Sequence, residues 1–312
     1  MKTILITGAG GFLGSRLLRR FSLKDAAALS ARPLSSEYRL RGISGRTPDI
    51  CDAAALLSLF DQARPDYVIH CAAVSDTGRC EREPELSWAV NVDGAENVAA
   101  ACEAVGAKMI FCSSDQVYFE NGRPDAADLA PHREAGELRP AGVYGRQKLE
   151  AEARCAAACP GTVSLRLSWM YDTGAPGPEK HGNLITTLRA LLDNPDPEAR
   201  LAFPVHDHRS ITNVWDVAAN MEAALDLPPG VYNFGSPNRW NAYETAAGFL
   251  RILSQRPDGT GVPPDPRLIP DYQRFLACPR NLQMNMEKTA AAGISFPTAE
   301  EGLIRALCRS HP

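Results

Sequence analysis

Residues 2–14 read Lys2-Thr3-Ile4-Leu5-Ile6-Thr7-Gly8-Ala9-Gly10-Gly11-Phe12-Leu13-Gly14. A short apolar run ends in a glycine turn. From Leu13 to Phe21 the pattern is helical, with Leu13, Leu17, Leu18 and Phe21 on one stripe. Strand, glycine loop and helix in this order let a backbone approach a pyrophosphate, and the helix N-terminus adds N–H donors and a positive dipole end. The spacing Gly8-x-x-Gly11-x-x-Gly14 departs from the G-x-G-x-x-G fingerprint. Its position between strand and helix makes Gly8, Gly11, Phe12, Leu13 and Gly14 candidate nucleotide-binding residues.

Outward from this unit, strands and helices alternate. Residues 38–44 read as a second strand, and Asp49-Ile50-Cys51-Asp52 leads into a helix through about Ala63. Residues 67–73 read as a third strand, 84–105 as one long Ala-rich helix, and 108–113 as a further strand. A helix runs from about Tyr144 to Ala158, and residues 163–169 form another strand. Such alternation predicts an α/β fold of the Rossmann type, a doubly wound parallel sheet. After Trp169 glycine and proline break the chain repeatedly. Residues 1–170 are therefore expected to form the dinucleotide-binding domain and 171–312 mainly a small, irregular substrate lobe. A helix near 214–226 and the strand-like Val231-Tyr232-Asn233-Phe234 would return to the main sheet, so that about 205–235 rejoins it.

Bulk properties narrow the classes. The net charge of −4 argues against nucleic acid as the main partner, because phosphate binding wants a basic face. The nine cysteines include no Cys-x-x-Cys and none with a histidine at zinc-ligand spacing. Their odd number, and an N-terminus that goes directly into a strand, fit a reducing cytosol. The expectation is a cytoplasmic chain with no membrane span. His206-Asp207-His208 would point two imidazoles to one side if extended, but no third ligand is evident and no metal is expected.

The end of the second strand bears on the dinucleotide. An acidic residue there favours NAD and an arginine favours NADP. The sequence reads Ser44-Gly45-Arg46, so Ser44 and Arg46 would hold a 2′-phosphate, with Asp49 and Ile50 framing the adenine. A competing register makes residues 26–30 the strand and Arg32 the contact. NADP(H) is the preferred cofactor on the first register, with NAD(H) possible.

Tyr144-Gly145-Arg146-Gln147-Lys148 carries the chemistry. On a helix the phenol and the ammonium share a face. A lysine beside a tyrosine favours the phenolate, so Tyr144 could pass a proton to or from a substrate oxygen near neutral pH. Ser114, at a strand end upstream, could orient that oxygen. Glu150, Glu152 and Arg154 read as the solvated face of this helix, with its alanines and cysteines as the packing side. Asn183 has two readings, a nucleotide contact or a helix cap.

As a set, Thr7–Gly14, Asp49-Ile50, His70-Cys71-Ala72-Ala73, Asn91-Val92-Asp93-Gly94, Ser113-Ser114-Asp115 and Tyr144-x-x-x-Lys148 resemble the extended short-chain dehydrogenase/reductase family. They span roughly the first 170 residues. Ser114-Asp115-Gln116-Val117-Tyr118, Cys80-Glu81-Arg82-Glu83-Pro84-Glu85-Leu86 and Arg166-Leu167-Ser168-Trp169-Met170-Tyr171 are most similar to its dTDP-4-dehydrorhamnose reductase branch. The resemblance implies Tyr144 as proton donor/acceptor and Lys148 as holder of the nicotinamide ribose. It implies Ser114 on the reacting oxygen with Asp115 beside it, Ala72 and Ala73 lining the cofactor, and Asn91 supporting the sheet end.

Asp207-His208-Arg209-Ser210-Ile211-Thr212-Asn213 falls where that branch shows D-x-x-G-x-P-T. Arg209 is closer to the wider epimerase pattern, in which it grips a diphosphate. The implied activity is an NADP(H)-dependent reductase of a nucleotide-activated 4-keto sugar, with a possible homodimer. Two other readings stand beside it. One is a sugar-nucleotide epimerase or dehydratase holding NAD tightly. The other is a non-catalytic cofactor-binding subunit, since the branch includes the regulatory beta subunit of methionine adenosyltransferase.

Overall fold

The structure is a computed structural model, and it describes residues 1–22, 38–43, 48–120, 130–174, 182–254 and 265–309. The chain runs through β1 (Lys2–Thr7), α1 (Phe12–Ser22), β2 (Tyr38–Ile43), α2 (Ala53–Ala63), β3 (Tyr67–His70), α3 (Thr77–Arg82) and α4 (Pro84–Trp88). A π turn (Ala89–Asp93) leads into α5 (Gly94–Val105), then β4 (Lys108–Ser114), a 3₁₀ turn (Asp115–Tyr118), α6 (Val143–Ala158), β5 (Val163–Leu167) and β6 (Trp169–Tyr171). The remainder comprises α7 (Leu184–Asp193), β7 (Leu201–Pro204), β8 (Asp207–Arg209), β9 (Ile211–Asn213), α8 (Val214–Ala224) and β10 (Gly230–Phe234). It closes with α9 (Ala242–Leu253), β11 (Leu268–Asp271), β12 (Arg280–Leu282), α10 (Glu287–Ala291) and α11 (Ala299–Arg309).

Six strands form one parallel sheet in the order β10-β5-β4-β3-β1-β2. The middle strands are buried on both sides, which is why β1 and β3 read as continuous apolar runs rather than alternating ones. Ile4, Ile6, Ile69, Ile110 and Leu165 pack under α1 and α8. Leu5, Val68, Met109 and Phe111 pack under α2, α5 and α6. Strand order reverses between β1 and β3. At such a switch point the carboxyl ends of the strands splay and leave a crevice for a ligand.

Three details differ from the sequence reading. The stretch 84–105 is not one α-helix, because a π turn at 89–93 separates α4 from α5. The third strand ends at His70, before Cys71-Ala72-Ala73. The stretch 163–169 is not one strand: β5 stops at Leu167, Ser168 turns aside to share a hydrogen bond with Thr212 Oγ1 at 2.6 Å, and β6 pairs with β9.

The C-terminal part packs around a separate apolar cluster of Tyr171, Leu184, Leu188, Phe249, Leu250 and Leu303. Its two-stranded pieces are β11-β7, β12-β8 and β6-β9. Among the described residues no helix is long and apolar enough to cross a membrane.

Candidate active site

The glycine loop is shaped by what cannot fit. Gly8 has φ +65°, and a Cβ there would stand 2.6 Å from the Ala72 nitrogen. At Gly14 a Cβ would lie 2.2 Å from the Gly8 carbonyl oxygen. Thr7 Oγ1 fixes the neighbouring strand ends, accepting from Ala72 N at 3.3 Å and bonding His70 Nδ1 at 2.6 Å. Burial, with Lys148 adding to it, pulls the His70 imidazole down to about 3, so it is neutral here. The first N–H groups of α1 have no intrahelical acceptor. With no side chain at 8, 11 or 14, a diphosphate can reach them, so the cradle fits a dinucleotide.

Ala72 and Ala73 come after Cys71, and the Ala72 backbone lies against Gly8. Ile50 is buried against Gly94, and its carbonyl accepts from Asn97 Nδ2 at 3.1 Å. Asp49 accepts from Cys51 N at 3.0 Å. Ser44, Arg46 and the competing Arg32 lie outside the described residues.

Helix α6 starts where Val143 N donates to Glu81 Oε1 at 2.8 Å. Tyr144 and Lys148 are buried on its inward face. Lys148 Nζ donates to the Cys112 carbonyl at 2.9 Å, and it lies 5.8 Å from the Tyr144 ring centroid. Lys148 is thus turned to the β4 backbone and does not reach the phenol oxygen as a hydrogen-bond donor. Burial, and next the Asp115 carboxylate, push Tyr144 well above its ordinary value, partly offset by the Ser114 hydroxyl. Burial also lowers Lys148. Ser114 Oγ donates to Asp115 Oδ1 and accepts from Gln116 N, each at 3.2 Å.

Asn91 sits on the π turn, and its side chain clamps two segments. Its Oδ1 accepts from Val74 N at 2.8 Å, and its Nδ2 donates to Val74 O at 3.0 Å and to Gln147 Oε1 at 2.8 Å. It thereby ties the segment after Ala73 to α6. A π turn re-aims one residue out of the α register, which accounts for the break in this helix.

Beside Ser114, Asp115 is 2% exposed and its Oδ2 has no hydrogen-bond partner. Arg209 Nη2 stands 3.9 Å from it, and the Arg209 guanidinium lies 4.8 Å from the Trp169 ring centroid. Arg209 Nε is likewise buried and unpartnered. Arg280, which no local motif marked, grips Asp207 at 2.8 and 2.5 Å. Its guanidinium lies 4.4 Å from the Phe275 ring centroid and 5.8 Å from that of Phe119.

Asn183 caps α7: its side chain accepts from Ile185 N at 2.9 Å in a capping box with Thr186. Among the described residues no histidine, cysteine and carboxylate group could hold a metal.

Glu152 overturns the sequence reading. It is 5% exposed rather than solvated, and it is paired with Arg166 at 2.7 Å. The available sign was spacing, since 144, 148 and 152 share one helical face.

A family model described as the RmlD substrate binding domain matches residues 1–311. The chain is similar to "dTDP-4-dehydrorhamnose reductase" of Mycobacterium tuberculosis (strain CDC 1551 / Oshkosh), 35% identical over 55% of this chain and 51% of that one. It thus spans about half the length of that relative. The reductase of the same name from Streptomyces griseus is 34% identical over 81% and 77% of the two chains. "Methionine adenosyltransferase 2 subunit beta" of Xenopus laevis is 32% identical over 85% and 79%. A crystal structure of dTDP-4-dehydrorhamnose reductase from Bacillus anthracis in complex with NADP has the same fold, with TM-score 0.78, 22% identity and coverage of 99% and 100%.

Proposed function

The chain belongs to the family of the RmlD substrate binding domain, and from that membership we propose that it is an NADP(H)-dependent reductase of a nucleotide-activated 4-keto sugar. The observation that carries this reading is that Ser114, at the end of β4, bears on the Tyr144 hydroxyl and Lys148 bonds the Cys112 carbonyl of the same strand, while Gly8 and Gly14 leave no room for a side chain in the first loop. The reductases among the relatives, and the NADP complex with the same fold, support it.

Gly8, Gly11, Phe12, Leu13 and Gly14 would hold the dinucleotide's diphosphate, with Ala72 and Ala73 along its path. Ser44 and Arg46 remain the proposed 2′-phosphate ligands. When bound, the nicotinamide supplies the hydride. Tyr144 gives its proton to the keto oxygen, and Ser114 holds that oxygen by a hydrogen bond. Burial and Asp115 keep this phenol protonated, and a neighbouring positive charge is what would bring it back toward the operating pH. Lys148 would hold the ribose and offer a positive charge to the phenolate left behind.

Asp115 and Arg209 receive the nucleotide sugar, where a forked guanidinium suits a diphosphate. Residues 1–170 would carry the cofactor and 171–312 most of the substrate, in a cytoplasmic chain acting alone or as a homodimer. The Xenopus relative favours a second reading, a cofactor-binding subunit of another enzyme.

The test is oxidation of NADPH and of NADH with dTDP-4-keto-6-deoxyglucose, beside Tyr144→Phe. Turnover that prefers NADPH and falls by about 10²-fold or more in the variant is expected. NAD retained on the purified protein, with no turnover, would point to an epimerase or dehydratase. No turnover on any keto sugar, with binding to a partner enzyme, would establish the second reading.

A further inference from the structure

Glu152 stands one turn beyond Lys148 and two beyond Tyr144 on the buried face of α6. Its carboxylate receives Arg166 Nε at 3.0 Å, Arg166 Nη2 at 2.7 Å and Ser113 Oγ at 2.5 Å. Ser113 directly precedes Ser114, and it lies opposite Arg166 in the β4–β5 register. One carboxylate therefore fastens the catalytic helix to the strand end that carries Ser114.

The network continues toward the substrate lobe. Arg166 Nη1 donates to Tyr118 Oη at 3.0 Å, and Tyr118 donates to Asn233 Oδ1 at 2.6 Å. Asn233 Nδ2 donates to the carbonyls of His132 and Asn285, each at 2.9 Å. The Tyr118 ring stacks on His132 with centroids 4.7 Å apart. His132 N in turn bonds the carbonyl of Gln283, just after β12, and β12 pairs with the strand that bears Arg209.

A buried ion pair is a poor source of net stability, because desolvation offsets its attraction. What a forked, two-bond pair supplies is direction. Two apolar side chains would fill the same volume and let α6 slide or turn; this pair admits one register.

We propose that Glu152 and Arg166 are positioning residues that fix the Tyr144–Lys148 face of α6 against Ser114 and transmit that register through Tyr118 and Asn233 to the substrate lobe. The proposal rests on the reading of Ser114, Tyr144 and Lys148 as the reacting set. Burial disfavours the Lys148 ammonium, and Cys112, Cys155, Cys71 and, after them, Glu152 support it.

The experiment measures NADPH affinity against pH, kcat and KM for the keto sugar, and thermal midpoint, on the full chain and on Glu152→Gln. Loss of the carboxylate charge should bring the alkaline fall in NADPH affinity to lower pH. It should also lower kcat about tenfold with KM for NADPH near wild type at neutral pH, as a small misplacement of reacting groups does. Tyr118→Phe keeps the ion pair; it should leave the pH profile in place and raise the sugar KM several-fold.

A lower thermal midpoint with unchanged kcat and pH profile in Glu152→Gln would overturn the proposal. If the wild type turns over no keto sugar, the functional reading fails. The NADPH profile still decides this proposal, shifted in support and unshifted against. Should Glu152→Gln not fold, Ser113→Ala takes its place. It should lower kcat (or, without turnover, NADPH affinity) while the midpoint holds, and wild-type behaviour would refute the proposal.

Discussion

The cofactor cradle and the substrate lobe of this molecule are built on opposite terms. In the cradle the decisive feature is the absence of atoms: Gly8 and Gly14 press backbone on backbone, under strands whose buried contacts are aliphatic. In the lobe the decisive feature is charge held against rings and carboxylates, with Arg209 on Trp169 near Asp115, and Arg280 on Phe275 and Asp207. Cradle positions should therefore fail through volume, and lobe positions through an uncompensated charge. A change of equal size has a different cause, and a different remedy, in each half.

The largest effect should come from Gly14→Ala. One methyl group would meet the Gly8 carbonyl at 2.2 Å, in a place where only backbone could yield. We expect a loss of roughly 3 kcal/mol in denaturant unfolding and no detectable NADPH binding by titration. A variant that binds normally would break the comparison on the cradle side.

Arg209→Met should cost about 3 kcal/mol, because Asp115 would remain buried beside an apolar side chain. Adding Asp115→Asn should recover most of that loss, a coupling that a double-mutant cycle in denaturant would measure. Additive losses would show that the lobe, too, is governed by packing.

A smaller effect sharpens the cradle side through pH. His70 is neutral when folded, at about 3, and binds a proton near 6.5 when unfolded. Its contribution is complete above pH 6.5 and is lost as pH falls toward 3, by about 2 kcal/mol between pH 6.5 and 5. Unfolding midpoints across that range should fall more steeply for wild type than for His70→Gln. Parallel curves would remove His70 as the cause.

The smallest effect belongs to a helix end of the lobe itself, bridged to His208 next to Arg209. Asn241 caps α9 in a capping box with Glu244. Asn241→Ala should lose about 1 kcal/mol and leave NADPH affinity unchanged. An affinity change would show that the lobe's packing reaches the cradle.

The parallel sheet was legible because short apolar stretches such as Ile4-Leu5-Ile6 and Tyr67-Val68-Ile69 alternate with helical stripes. The breaks were not legible. The π turn at Ala89–Asp93 follows from Asn91 bonding Val74 and Gln147, and neither partner is near it in sequence. Ser168 leaves the strand path for Thr212, 44 residues away.

At the site, Tyr144, Lys148 and Ser114 were readable from residue type and spacing. Glu152 was misread as solvated because a charged side chain in a helix is usually exposed, although its spacing from Tyr144 and Lys148 put it on the inward face. Arg166, its partner, is one strand away.

By itself the sequence determined the layout: a strand–glycine–helix entry, alternation into a parallel sheet, and a phenol and ammonium on one helical face. Those are local properties, set by side-chain period and by the room a glycine leaves. Tertiary structure alone decided the electrical state of the site. It pushes the Tyr144 phenol up through burial and Asp115, turns Lys148 onto the Cys112 carbonyl, and sets Arg209 against Asp115 and Trp169. Burial and charge are sums over neighbours from distant parts of the chain, and only the folded molecule brings those neighbours together.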